Sequence, residues 1–291
     1  MRATHFLLGK GVFGRTLDEL QRRASIAINM EGITGPRGPR LLYDFNNPSS
    51  VRDCVIMSDQ VMGGSSQSNL DLVSDPNSNF NSNSDSDSDS DFNSDPTSTP
   101  RSSSSTSAPS QLQIPRSYAR FHGRISTSLP DKNPKIERTG YAAFRTPNQR
   151  PTLFGRSVWD IDPYTYLALR IKSDGRAYFV NLQTQSVEKS DLHQHRLFAQ
   201  YPGQWETILI KWNDFVRTNH GLMVEPQTGL LRQSVLTVGV GLTDRVEGPF
   251  ELCIDRVWAT NGALEEGTVV ARLDKMDKTD LKNKKGQKIQ W

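Results

Sequence analysis

The chain has 291 residues, a net charge of +3, only 35% hydrophobic residues and a mean hydropathy of −0.59. Both hydrophobicity values are low for a globular chain, and the cause is local: Ser74–Ser110 is almost entirely Ser, Asn, Asp, Pro and Thr, which leaves about 200 residues for one full core. No apolar run approaches the ~20 residues needed to cross a bilayer, and Cys54 and Cys253, far apart in sequence, form neither a disulfide framework nor a metal-ligand spacing.

Residues 1–15 carry Arg2, Lys10 and Arg15 and no acid, as a mitochondrial targeting segment does. Gly9-Lys10-Gly11-Val12-Phe13-Gly14 matches a dinucleotide fingerprint locally, but that fingerprint also needs a βαβ unit continuing into a parallel sheet. The spacing predicts a helix after it, N-capped by Thr16 with Glu19 closing a capping box, and with an apolar face of Leu17, Leu20, Ala24 and Ala27 or Ile28. Such a helix has three destinations: the domain, a partner or a membrane surface. Residues 1–40 therefore read as a basic arm plus one amphipathic helix, ending in the linker Gly35-Pro36-Arg37-Gly38-Pro39.

The folded domain is expected over residues 41–262. Leu41–Phe45 opens it, followed by the turn Asn46-Asn47-Pro48. Val55–Ser58 then leads into Asp59-Gln60-Val61-Met62-Gly63-Gly64-Ser65-Ser66. Paired glycines after an apolar stretch mark backbone with positive φ or a close approach, and Asp59 can accept hydrogen bonds from turn amides. The stretch reads as a recognition loop at a sandwich edge or as a structural turn feeding an edge strand. Ser74–Ser110 follows as an expected disordered insertion, with an alternating Ser-Asp run from Ser84 to Asp91. Loop closure cost grows slowly with length, so a domain tolerates such an insertion between two strands.

After the insertion, short alternating strands are predicted at Tyr118–Ile125, Tyr141–Arg145, Tyr166–Ser173, Tyr178–Thr184, Phe198–Tyr201, Trp205–Trp212, Leu236–Leu242 and Phe250–Asp255. Asp174-Gly175 between two apolar runs predicts a two-residue type I′ hairpin, with Ile171 facing Tyr178 and Leu169 facing Val180. Many short strands separated by turn signals mean an all-β sandwich or jelly roll. The tail, 263–291, interleaves Lys with Asp and reads as a solvated basic end.

No catalytic constellation stands out, and no cofactor or metal is expected. His193 and His195 share one strand face, expected at the surface, and no third ligand is signalled. Trp205 and Trp212 differ by an odd number, so at least one belongs in a core rather than on a sugar-stacking platform.

Five stretches in order resemble a known family: Leu42–Phe45, Ser58–Ser65, Phe121–Ile125, Tyr166–Tyr178 and Phe250–Val257. Together they are similar to the complex I intermediate-associated proteins of the thirty-kilodalton type, over roughly Leu41–Asn261. The resemblance implies a galactose-binding-like jelly roll without catalysis. It also implies a place in the mitochondrial matrix, on the matrix face of the inner membrane. The implied role is assembly of respiratory NADH:ubiquinone oxidoreductase, with membrane-arm subunits and other assembly factors as partners and a peripheral membrane contact. Asp59, Met62, Gly63, Gly64 and Ser65 match its signature and are the candidate partner-binding residues. Asp174 and Gly175 match it as a structural turn. A carbohydrate-binding module on the same fold is the alternative.

Overall fold

The computed structural model describes residues 11–28, 36, 38–74, 115, 117–130, 136, 138–186, 188, 190–262 and, as backbone only, 270–272. Residues 1–10, nearly all of the Ser/Asp tract and the tail from 263, apart from that short piece of backbone, lie outside it.

A helix, α1 (Val12–Ile28), precedes the domain. The strands are β1 (Arg40–Asp44), β2 (Val55–Ser58), β3 (Gln67–Ser74), β4 (Ser117–Ile125), β5 (Ala142–Arg145), β6 (Tyr166–Ser173) and β7 (Tyr178–Thr184). They continue as β8 (Asp191–Arg196), β9 (Trp205–Lys211), β10 (Val216–Asn219), β11 (Leu222–Met223), β12 (Val235–Leu242), β13 (Gly248–Thr260) and β14 (Val270–Arg272). A single-turn helix, α2 (Pro48–Arg52), connects β1 to β2.

The strands form two sheets. One runs β14-β9-β6-β13-β4-β3, with β1 also paired to β13; the other runs β11-β10-β8-β7-β12-β5-β2. This is the jelly-roll-type sandwich that the alternation predicts. Leu167, Leu169 and Ile171 of β6 and Phe250, Leu252 and Ile254 of β13 point inward from the first sheet. Tyr178, Val180 and Leu182 of β7 and Val238, Val240 and Leu242 of β12 meet them from the second. Each such side chain contributes about 1.5–3 kcal/mol on leaving water. Strands β3 and β4 pair with Ser74 opposite Ser117, so the Ser/Asp segment leaves and re-enters at one point on the rim.

The structure corrects the hairpin. β6 pairs with β9 and β13, whereas β7 pairs with β8 and β12, so the two strands belong to different sheets. The apolar faces were identified correctly, but they face each other across the core instead of lying side by side. Asp174-Gly175 is the corner where the chain changes sheets. Only Gly175 has positive φ (89°), so the turn is not type I′. The corner is tied down by side chains: the Asp174 carboxylate accepts from the Arg176 amide (2.9 Å), the Glu251 amide (2.8 Å) and the Tyr178 hydroxyl (3.1 Å). Arg176 in turn makes a two-pronged pair with Asp244 at 2.8 and 2.9 Å.

Two further expectations change. Residues 198–201 are not a strand; the strand lies earlier, at β8. His193, expected at the surface, is buried, because β8 turns it inward with Leu182 opposite. The tryptophans agree with expectation: Trp205 and Trp212 are both buried, as is Trp159.

Helix α1 begins at Val12, four residues before its expected cap. Thr16 therefore lies inside the helix, and its hydroxyl donates to the Val12 carbonyl (2.7 Å). Glu19 bonds Arg22 (2.7 Å) and Arg23 (2.9 Å), which holds its carboxyl down at about 2. Gly14 is a helical residue, and among the described residues no βαβ unit follows it, so the dinucleotide fingerprint has no structural context.

Candidate functional site: the loop between the edge strands

The signature stretch joins two sheets. β2 ends one edge of the second sheet and β3 ends one edge of the first, so the chain between Ser58 and Gln67 closes the side of the sandwich. Ser58, in extended backbone, caps a single 3-10 turn over Asp59–Met62 through its side chain. Gly63 ends that turn in the left-handed region (φ 91°), donating to the Gln60 carbonyl at 2.9 Å. Gly64 then donates to the Asp59 carbonyl, also at 2.9 Å.

Asp59 is the centre of the loop, with 0% exposure. Its carboxylate accepts from the Ser66 amide (2.9 Å), the Ser66 hydroxyl (2.7 Å) and the Gly140 amide (2.6 Å). The Ser66 oxygen also accepts from the Ser126 amide (3.1 Å). One side chain thus ties the loop to the start of β5 and, through Ser66, to the end of β4. Such charge-assisted bonds to backbone amides are the strong kind. The carboxylate also helps to push the neighbouring Tyr141 hydroxyl's pKa up, burial being the larger cause.

This packing explains the second glycine. A Cβ on Gly64 would sit 2.3 Å from Cγ of Asp59, closer than any side chain tolerates. Gly63 is constrained twice, by its positive φ and by Pro130, which a Cβ would meet at 3.2 Å.

Five residues were singled out in the signature, and the structure divides them. Asp59 is wholly interior, and its carboxylate shapes the loop from inside. Gly64 is half-buried against it. Met62, Gly63 and Ser65 are exposed. Next to Met62, Val61 is 89% exposed, which is unusual for a β-branched apolar residue on a rigid turn. Ile56 on β2 and Leu129, beside the Pro130 that packs on Gly63, are also exposed apolar groups. Val61 stands in the signature stretch but not among its candidate residues, because alternation marks strand faces and says nothing of a turn; Ile56 and Leu129 are not among the candidates either. Ser66 and Gly140 were missed as well. Gly140 is 81 residues from Asp59, and no local signal connects them.

Nothing at this loop resembles a catalytic arrangement, and among the described residues no group of three His, Cys, Asp or Glu side chains is placed to hold a metal ion. On β8, burial lowers the pKa of His193, with Arg217 adding to the effect and the Thr228 backbone and Asp191 opposing it. Asp191 is engaged by Asn219 and Arg217.

The fold class is an all-β jelly-roll-type sandwich. Among solved structures, family 11 carbohydrate-binding modules of Clostridium thermocellum are similar to it, with TM-scores of 0.43 and 0.45 at 13% and 12% identity. The matches cover 77% and 81% of this chain and 96% and 98% of those.

The family is set by sequence. The profile of Complex I intermediate-associated protein 30 (CIA30) matches residues 43–254. A Neurospora crassa protein named "Complex I intermediate-associated protein 30, mitochondrial" is 51% identical over 289 residues, covering 99% of this chain and 96% of that one. Proteins of the same name from Drosophila melanogaster and Mus musculus are 28% and 27% identical over about half of this chain and 48% and 42% of their own lengths. The chain belongs to the complex I intermediate-associated protein 30 family.

Proposed function

We propose that this protein is a non-catalytic assembly factor for mitochondrial respiratory complex I, acting in the matrix or on the matrix face of the inner membrane. The observation that carries the reading is the match to the Neurospora crassa relative over 99% of the chain. The physical role fits a rigid sandwich that holds an incomplete membrane-arm module and covers surface that later subunits bury.

Contact with the intermediate is made by the loop. Asp59 and Gly64 fix its shape from inside, while Val61, Met62, Gly63 and Ser65 present an apolar tip at the junction of the two sheets. A tip held by buried hydrogen bonds loses little entropy on binding, which favours affinity. The carbohydrate reading lacks a stacking platform at Trp159, Trp205 and Trp212, all of which are buried.

The test is a V61D/M62D double variant in a strain lacking the natural protein. Both side chains are exposed, so the fold should be unaffected. On a two-dimensional native gel, the wild-type chain is expected to run with a sub-complex and the variant at its own size. A variant that still runs with the sub-complex and restores full-size complex I would overturn the loop as the contact.

A further inference from the structure

The N-terminal helix is held on the domain by its polar side. Arg15 donates twice to the Pro151 carbonyl (3.2 and 3.3 Å), and Thr16 accepts from the Leu153 amide (3.1 Å). Arg22, two turns beyond Arg15, faces Asp160 and Tyr164 of the domain. The opposite side is apolar and uncovered. Phe13, Leu17, Leu20, Ala24 and Ala27 recur at alternating steps of four and three residues, and all five are exposed, Phe13 at 80%. That spacing is a heptad seam, with Leu17 and Ala24 at its first apolar position and Phe13, Leu20 and Ala27 at its second.

We propose that this seam pairs with the same seam of a second copy of the chain, antiparallel, about a two-fold axis between Leu17 and Leu20. Side-chain size selects the arrangement. In an antiparallel pair the first heptad position of one helix meets the second of the other, so Phe13 meets the partner's Ala24 and Leu17 meets the partner's Leu20. Large faces small at both ends and leucine faces leucine in the middle, which fills the interface evenly. A parallel pair sets Phe13 against Phe13 and Ala24 against Ala24, crowding one end and leaving a void at the other. Charge selects the register. Gly14 and Gln21 flank the seam on one side, Thr16 and Arg23 on the other. In the proposed register Gln21 lies beside the partner's Gly14 and Arg23 beside the partner's Thr16, so no like charges meet. Sliding one helix by a heptad keeps leucine against alanine but brings Arg23 onto the partner's Arg23 and leaves Phe13 unpaired.

The outward half of the helix favours a protein surface. With Arg15 and Arg22 turned to the domain, its exposed charges are Asp18 and Arg23, one of each sign. No positive excess remains there to favour an anionic surface over an apolar partner. The tight loop closed by Thr152 and Gly155 adds exposed Leu153 and Phe154 on the Thr16 and Arg23 side, where the partner brings the same pair. At 17 residues α1 is about 25 Å long. Two such flanks and two loop tips make a small interface, so the expected dissociation constant is about 1–100 µM. The inference goes beyond the assembly reading and does not rest on the signature loop.

The experiment is sedimentation equilibrium of the purified full chain over a concentration series. The mass is expected to rise from 32.6 kDa towards twice that value. L17D/L20D should weaken the dimer at least about tenfold, because each copy would bury unpaired charge. A24F should also weaken it, by setting Phe against the partner's Phe13, and the swap F13A/A24F should restore it. On mild oxidation an equal mixture of the L17C and L20C variants should cross-link faster than either variant alone. Circular dichroism should be unchanged, because all these side chains are exposed. V61D/M62D should dimerise as the wild type does, which separates failure here from failure of the assembly contact. A chain that stays monomeric at about 100 µM would overturn the proposal, as would a dimer indifferent to L17D/L20D. A dimer that A24F tightens, or that F13A/A24F does not restore, would overturn the antiparallel register. A monomer that instead pellets with phosphatidylglycerol vesicles through Leu17 and Leu20 would overturn the pairing in favour of a lipid surface.

Discussion

Replacing Asp59 with Ala tests the architecture of the loop most sharply. The substitution removes three hydrogen bonds and leaves two buried amides, those of Ser66 and Gly140, without an acceptor. The Ser66 hydroxyl suffers less, because the Ser126 carbonyl lies 3.1 Å away and can take its proton. Each orphaned buried amide costs about 1–3 kcal/mol, so the expected loss is about 4 kcal/mol. Removing a buried charge returns some desolvation energy, but this carboxylate is fully matched by donors and little is recovered. For a domain of this size, that loss corresponds to a fall in Tm of roughly 8–16 °C. Asp59→Asn keeps the volume and one acceptor but turns an NH2 group toward existing donors, so it should cost about half as much. The assay is thermal unfolding together with hydrogen exchange at the Ser66 and Gly140 amides, which should lose protection before the core strands do. A Tm for Asp59→Ala within about 2 °C of wild type would refute the carboxylate as the loop's anchor.

Gly64→Ala should cost about 2 kcal/mol, because its Cβ lands 2.3 Å from Asp59 Cγ and the loop must shift; unchanged urea unfolding would show that the loop yields freely. Burial holds the pKa of His193 below its ordinary value, so the unfolded chain takes up a proton that the folded one resists. Its contribution is therefore complete above about pH 6.5 and is lost as pH falls below that. His193→Gln should reduce the fall in Tm on acidification below about pH 6.5, and an unaltered slope would contradict the assignment. Burial pushes the thiols of Cys54 and Cys253 up to about 11. In the folded protein they should react with a disulfide reagent roughly a hundredfold more slowly than free cysteine at about pH 8. Rapid, complete reaction without unfolding would count against that burial.

Legibility in the sequence followed the range of the forces involved. Strand faces were readable because alternation is local: Leu167, Leu169 and Ile171, and likewise Tyr178, Val180 and Leu182, all went where their spacing sends them. Pairing was not readable. An apolar face on each side of Asp174-Gly175 fits a hairpin and a change of sheet equally well, and the edges of β6 are taken by strands that begin 32 and 75 residues after its own end. The core of the site was half readable. Asp59, Gly63 and Gly64 stand in one stretch, but the amide of Gly140 that completes the carboxylate's shell is distant in sequence. For α1, period and composition located the helix but not its orientation, because its rotation is set by Pro151 and Leu153. Only the three-dimensional contacts turn its polar side inward and leave the stripe outside.

The central claim is the assembly role, and its most direct measurement is a native-gel separation of mitochondrial membranes from a strain lacking this protein, stained for NADH dehydrogenase activity. The account predicts loss of the full-size complex with smaller modules persisting, and recovery when the wild-type chain is restored. A full-size, active complex in the absence of the protein would contradict it.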